Sequence, residues 1–180
     1  MARQTIYQRY DQKAAKAGIN RNTRESLEWF RKTIRKDSNI KSLDRATSGL
    51  KNRRIEIGGL YAYEYSPKYA EKLPVWDKFP LVLILSFTTN GWFGINFHYL
   101  PPVIRSKILS ELNLNRLNGV AIAKKFTQSD YGKFALKKYI ATNLKSRPKA
   151  VPKKDWEIAV QLPFENFQKS TAKSVWRKVK

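Results

Sequence analysis

The stretch that decides the fold is residues 81–99, LVLILSFTTNGWFGINFHY. Its first five residues form a continuous apolar run, which is typical of a strand buried on both faces. Thr89-Asn90-Gly91 is a hairpin signal. Residues 92–99, which are rich in aromatic side chains, then predict a returning strand. We therefore expect a β-hairpin at the centre of the fold.

Further strands and helices are predicted on both sides of this hairpin. Residues 60–65, LYAYEY, have strand character and place three tyrosines on one face. Residues 156–162 alternate apolar and other side chains and predict another strand. Helical spacing predicts helices at 102–113, 129–145 and 164–178. The fold class expected is α+β, with a small twisted antiparallel β-sheet or partly open barrel flanked by helices.

The first 54 residues predict a basic N-terminal helical arm and a linker. One helix is expected over residues 3–17, ending at Gly18. A second begins at a capping-box-like pair, Asn22 and Glu25. Residues 37–54 are rich in Ser, Asn, Lys and Arg and predict a mobile or partner-ordered linker. The expected organisation is an arm and linker over 1–54 and an α+β domain over 55–180.

The charge is large and unevenly distributed. The chain has 36 Lys and Arg against 14 Asp and Glu, a net charge of +22. Residues 1–54 carry +10, residues 55–112 are neutral and hold 11 of the 23 aromatic residues, and residues 113–180 carry +12. Such an excess favours a polyanionic partner, most often nucleic acid. The alternatives are an anionic membrane surface, a ribosomal or virion assembly, and a merely soluble basic protein.

The predicted polyanion-binding residues are cations of the two basic segments. One basic stripe is expected on a final helix and consists of Lys169, Lys173 and Arg177. Such a stripe could contact successive phosphates of a nucleic-acid backbone. The full set is Arg31, Lys32, Arg35, Arg53, Arg54, Lys133, Lys137, Lys138, Lys145, Arg147, Lys149, Lys153, Lys154, Lys169, Lys173, Arg177 and Lys178.

The residues that catalysis needs are sparse. The chain has no Cys and one His, so thiolate metal sites are excluded and His98 is expected to be structural. A metal-dependent nuclease would need converging carboxylates, and the acids of the central segment are scattered. Asp77 is expected to hold a loop or pair with Lys78. We predict no enzyme activity, no metal and no cofactor, with a nuclease as the catalytic alternative.

Membrane insertion and secretion are not expected either. No apolar run approaches the roughly 20 residues of a membrane span, and residues 1–10 contain no apolar signal segment. The absence of Cys is compatible with a reducing compartment.

Three central motifs carry a family resemblance: residues 59–68, GLYAYEYSPK, residues 73–82, LPVWDKFPLV, and residues 94–102, GINFHYLPP. With SLEWFR at 26–31 they resemble the DNA end protector family of T4-like tailed phages. The match is good over 26–31 and 59–112 and loose in the basic C-terminal third. Val75-Trp76 stands where the family pattern has paired aromatics. The motif residues expected to be structural are Tyr61, Tyr63, Pro67, Trp76, Asp77, Pro80, Asn96, His98 and Tyr99.

The resemblance implies a virion protein that binds the ends of packaged linear DNA, shields them from host exonuclease and helps to complete the head. It would be found in the phage virion and, during assembly, in the host cytoplasm. Its partners would be DNA and other virion proteins. The alternative is a structural neck, tail or baseplate protein whose basic arms contact neighbouring subunits. The oligomeric state is left open.

Overall fold

The structure, a computed structural model, describes residues 4–37, 40, 42–115 and 119–179. Its centre is a six-stranded sheet in the order β1-β7-β2-β4-β5-β6, in which every pair is antiparallel. A two-stranded sheet joins β3 to β8. The strands are β1 (Lys51–Asn52), β2 (Leu60–Ala62), β3 (Trp76–Asp77), β4 (Leu81–Thr88), β5 (Gly91–Asn96), β6 (Leu136–Ile140), β7 (Lys149–Val151) and β8 (Phe167–Gln168). The predicted α+β class is confirmed, and the six strands form an open sheet and not a closed barrel.

The predicted central hairpin is present as β4 and β5. Leu81, Leu83 and Leu85 belong to the larger apolar cluster, whereas Val82 and Ile84 belong to the smaller one. β4 is therefore buried on both faces, as its continuous apolar run predicts. The returning strand is shorter than predicted, because it ends at Asn96 and residues 97–99 form a turn of 3-10 helix.

The helices are α1 (Ile6–Lys16), α2 (Arg24–Ile34), α3 (Leu43–Ala46), α4 (Pro102–Asn115), α5 (Gly119–Thr127), α6 (Gly132–Ala135), α7 (Trp156–Ala159) and α8 (Ala172–Trp176). α1 and α2 fall where the sequence places them. The capping box of α2 was misassigned, because Thr23 and Ser26 form it. Asn22 instead adopts a left-handed backbone with φ of 61°.

The N-terminal helices pack against the sheet. Tyr10, Phe30 and Ile34 are fully buried in the same apolar cluster as Leu81 and Leu83. The linker predicted over 37–54 is wrong in part, because this segment contains α3 and β1 and buries Ala46 completely. Its apolar residues are few but each enters the core. The division of the chain at residue 54 stays a proposal.

Two predictions for the C-terminal third are wrong in type. The helix predicted over 129–145 is the short α6 followed by β6, which pairs with β5 and buries Tyr139 against Trp92. The strand predicted over 156–162 is α7 and a turn. Every residue of 156–162 is buried, so the alternation there reflects no exposed face.

The final helix predicted over 164–178 is also wrong. β8 lies at Phe167–Gln168, and Lys169 then turns the chain with a positive φ of 64°. α8 begins only after the N-cap Thr171, whose hydroxyl accepts from the Ser174 amide. Lys169 therefore lies outside the helix that carries Lys173, and the predicted continuous stripe does not exist.

Candidate nucleic-acid interface

A buried polar network holds the central motifs together around Asp77. Its Oδ2 accepts from His98 Nδ1 at 2.7 Å and from Asn96 Nδ2 at 3.2 Å. Its Oδ1 accepts from the backbone amides of Phe79 and Asn166, each at 3.1 Å. Asp77, Asn96 and His98 are at most 4% exposed. The carboxylate thus joins the loop before β4, the end of β5 and the C-terminal segment.

Tyrosines and Trp92 form a second buried cluster on the other face of the sheet. Trp92 Nε1 donates to the Tyr63 hydroxyl at 3.2 Å, and the ring centroids of Tyr63 and Tyr139 are 5.7 Å apart. Burial raises the pKa of both tyrosines well above its usual value. These aromatic side chains build the core and are not available for stacking on a ligand.

The two motif prolines and Tyr99 also have structural surroundings. Pro80 is buried directly before β4, and Pro67 is half-buried. Tyr99 packs edge-on against Phe167 with ring centroids 5.0 Å apart. Trp76 lies in β3 opposite Gln168.

Several predicted polyanion-binding cations are already engaged within the protein. Arg31 and Lys32 pair with Glu28 at 3.4 and 2.9 Å. Arg35 pairs with the buried Glu165 at 2.8 Å and lies over the Trp176 ring. These three cations, two in α2 and one directly after it, have internal partners that compete with phosphate.

Lys137 and Lys169 are engaged as well. The Lys137 ammonium lies 4.1 Å from the centroid of the Tyr99 ring, and burial lowers its pKa. Lys169 Nζ donates to the carbonyls of Ala70, Glu71 and Leu73 at 3.0, 2.7 and 3.0 Å. Lys169 therefore ties the C-terminal segment to the loop before β3.

A second group of cations converges at one edge of the sheet, where β1 pairs with β7. Lys51 lies opposite Ala150 and Asn52 opposite Lys149. The Arg53 amide donates to the Pro148 carbonyl at 3.0 Å, which extends the pairing by one residue. Lys51, Arg53 and Lys153 also line one shared cavity. We call this group, together with Lys145 and Arg147 of the segment that leads into β7, the cationic edge: Lys51, Arg53, Arg54, Lys145, Arg147, Lys149 and Lys153.

The cationic edge has a high density of positive charge. Lys149 is half-buried and the other six are exposed. In the described part of the chain, no ion pair joins any of the seven to a carboxylate, whereas nearby Glu64 pairs with Lys78. Close like charges raise the free energy of the isolated protein and favour an anionic partner. Lys154 follows directly and is also exposed, and its carbonyl accepts from Arg21.

The backbone of the cationic edge is held in place by Tyr61. Its hydroxyl donates to the Arg54 carbonyl at 3.0 Å and accepts from the Glu56 amide at 3.1 Å. The Gly58 amide donates to the Ile84 carbonyl at 2.8 Å. Arg53 and Arg54 therefore extend from a segment that is fixed on both sides, which limits the conformational entropy lost on binding.

The sequence found part of this edge. It singled out six of the seven members but not Lys51, whose position two residues before Arg53 in a basic segment was the available signal. It could not show that residues 51–54 and 145–153 are neighbours, because that depends on the pairing of β1 with β7. The other predicted cations, Lys133, Lys138, Lys173, Arg177 and Lys178, are exposed and lie outside this pairing.

Other kinds of site find little support within the described residues. No group of three or more His, Asp or Glu there is arranged to hold a metal ion. Asp77 already accepts four hydrogen bonds. No helix in the same residues combines the length and apolarity that a bilayer crossing requires.

Comparison with known proteins gives one match. A family model described as the phage T4 terminal DNA protecting protein matches residues 3–179. No curated protein and no solved structure matches the chain. The match spans both basic segments and the central motifs.

Proposed function

Because the chain belongs to the phage T4 terminal DNA protecting protein family, we propose that it binds the ends of linear duplex DNA through the cationic edge. It does so largely without sequence preference and without catalysing a reaction. The observation that carries the proposal is that the pairing of β1 with β7 brings two distant basic segments side by side. Their seven cations have no carboxylate partner among the described residues.

Phosphate contacts account for the expected behaviour. Lys and Arg side chains that neutralise phosphates release condensed counterions, so affinity falls steeply as salt rises. Such contacts position a protein on DNA but carry no sequence information. Arg53, Arg54 and Arg147 can each approach phosphate oxygens in a bidentate manner.

The proposal that the protein does not catalyse a reaction rests on the partners of its buried carboxylates. Asp77, the buried aspartate of the central motifs, accepts hydrogen bonds from His98, Asn96 and two backbone amides. Glu165 Oε1 pairs with Arg35 at 2.8 Å, and its Oε2 lies 3.7 Å from Arg105. Cleavage assisted by Mg²⁺ needs carboxylate oxygens that are free to bind the ion.

In the phage, the protein would bind the ends of packaged linear DNA in the virion, contact neighbouring virion proteins and help to complete the head. It would be present in the host cytoplasm during assembly. A bound protein that covers the terminal base pairs would exclude host exonuclease by steric occlusion.

An exonuclease protection assay tests this proposal. The native protein is expected to slow digestion of a blunt linear duplex by a double-strand exonuclease. The triple variant Arg53→Gln, Arg54→Gln and Arg147→Gln is expected to lose protection. The matched control, Lys173→Gln, Arg177→Gln and Lys178→Gln, removes the same charge from the C-terminal segment and is expected to protect as the native protein does.

Other outcomes would overturn the proposal. Equal loss in both triple variants would mean that total charge, and not the cationic edge, determines binding. An edge variant that protects DNA normally but is not incorporated into particles would favour the structural neck, tail or baseplate role.

A further inference from the structure

A mainly apolar pocket of about 370 Å³ lies against the cationic edge. Its lining includes the buried Ile55 and Trp92, the half-buried Leu144 and Pro148, and the exposed Phe87. Arg53 and Arg54 complete the lining, so the pocket and the edge share two residues. Its volume lies within the usual range for small-molecule sites, about 300–1,000 Å³.

The position of Phe87 is unusual for a large apolar side chain. It is 54% exposed, although its partner across the hairpin, Trp92, is only 4% exposed. The hairpin therefore presents an exposed aromatic side chain at a pocket that Arg53 and Arg54 also line. Water solvates this apolar lining poorly, which favours a flat apolar ligand.

We propose that this pocket takes an unpaired base at the DNA terminus, stacked on Phe87, while Arg53 and Arg54 bind its flanking phosphates. The inference rests on the proposed DNA binding and adds the element that distinguishes an end from the interior of a duplex. The argument for a nucleotide over another apolar group is charge complementarity. A base attached to phosphate matches an apolar concavity lined by two cations that have no carboxylate partner among the described residues.

The pocket distinguishes a DNA end from the interior of a duplex, because an interior base is not available to it. Inside a duplex a base is paired and stacked on both sides, and extruding it costs free energy. A terminal base has one stacking neighbour and frays more readily. Stacking on an aromatic side chain tolerates any base, since every base has a π face. The pocket therefore recognises the terminus without recognising its sequence.

The test compares binding to a short blunt linear duplex with binding to a covalently closed circle of the same sequence. Phe87→Ala is expected to weaken binding to the linear duplex by roughly 5- to 150-fold, as loss of one base stack does. Binding to the circle is expected to stay unchanged, because every cation is retained. That unchanged binding also shows that the variant is folded.

Phe93→Ala is the matched control. Phe93 is 38% exposed on the same hairpin, and successive strand residues point to opposite faces, so Phe93 lies away from Trp92 and the pocket. This variant is expected to keep the native preference for linear DNA. A 2-aminopurine probe at the terminus gives a second readout, since its fluorescence responds to stacking. Its signal should change on binding to native protein and not to Phe87→Ala.

The outcomes separate the pocket from the wider proposal. Loss of end preference in Phe87→Ala with intact binding to circles supports the terminal-base pocket. If Phe87→Ala keeps the native preference for linear DNA and gives the same 2-aminopurine signal as the native protein, the pocket proposal is overturned. DNA binding by the cationic edge would then remain in place. No salt-sensitive binding to either DNA by the native protein overturns both. Intact DNA binding with loss of particle incorporation in Phe87→Ala assigns the pocket to a virion protein instead.

Discussion

Replacing Asp77 by Asn separates a structural role of the central motif from a catalytic one. The change keeps the side-chain shape but removes the charge and turns one acceptor atom into an NH2 donor. If the amide oxygen stays with the backbone amides of Phe79 and Asn166, the NH2 group faces the amide donor of Asn96. A change of tautomer at His98 would relieve one contact but place a proton on Nε2, which has no hydrogen-bond partner among the described residues.

The expected cost follows from two buried hydrogen bonds that are lost or reversed. Each buried group left without a partner costs about 1–3 kcal/mol. We expect a loss of about 3 kcal/mol in the free energy of unfolding. For a chain of this size that lowers Tm by roughly 6–12 °C.

Thermal and urea unfolding measure this effect, with Asp130→Asn as the control at an exposed aspartate. Asp77→Asn is expected to be strongly destabilised and, at a temperature where it is folded, to bind DNA as the native protein does. A variant of native stability would refute the network. Mg²⁺-dependent DNA cleavage that Asp77→Asn abolishes at unchanged stability would refute the structural role and indicate a nuclease.

Three further changes test other parts of the structure. Burial disfavours ionised Glu165, but Arg105 and Arg35 lower its pKa from 4.5 to about 2. Because the folded-state pKa is lowered, the ionised carboxylate contributes on the order of 3 kcal/mol of stability above about pH 4.5, and this contribution is lost as pH falls towards 2. Urea unfolding of Glu165→Gln across that range should therefore show a flatter pH dependence of stability than unfolding of the native protein. Lys169→Met removes three hydrogen bonds to carbonyls and should lower stability by about 1–3 kcal/mol while leaving DNA affinity unchanged, so weakened DNA binding at full stability would contradict its structural role. Tyr61→Phe removes no charge but releases the backbone beside Arg54; it should cost about 1 kcal/mol in chemical unfolding and weaken DNA binding in a fluorescence anisotropy titration, whereas native affinity would show that the tether is unimportant.

Local pattern was sufficient where burial and periodicity agreed. The apolar run of residues 81–85, the hairpin signal at residues 89–91 and the helical spacing of residues 102–113 each produced the expected element. Prediction from local pattern failed where a segment is buried on all sides. Residues 156–162 are buried throughout, so their alternation carried no information about faces.

Tertiary pairing overrode helical spacing in the segment that became β6. Leu136 and Ile140 have the spacing of a helix face, but the open edge of β5 supplies a hydrogen-bonding partner and a burial site for Tyr139. β propensity depends on such neighbours, and these are not visible in a local window.

The candidate site was predictable as composition but not as geometry. The sequence identified the basic segments, and the structure separates their cations by what each one contacts. Arg35 and Lys169 have internal partners, whereas Arg53 and Arg147 have none among the described carboxylates. That difference depends on the placement of Glu165 and of the loop carbonyls, which no local pattern encodes.

The most direct test of the central claim is the salt dependence of binding to blunt linear duplex DNA. The logarithm of the affinity should fall linearly with the logarithm of the salt concentration, with a slope of about −0.9 for each phosphate contact. Neutralising Arg53, Arg54 and Arg147 should make that slope shallower by about 2.7, while the Lys173, Arg177 and Lys178 control keeps the native slope. A native slope in the edge variant, or binding of the native protein that does not respond to salt, would contradict the account.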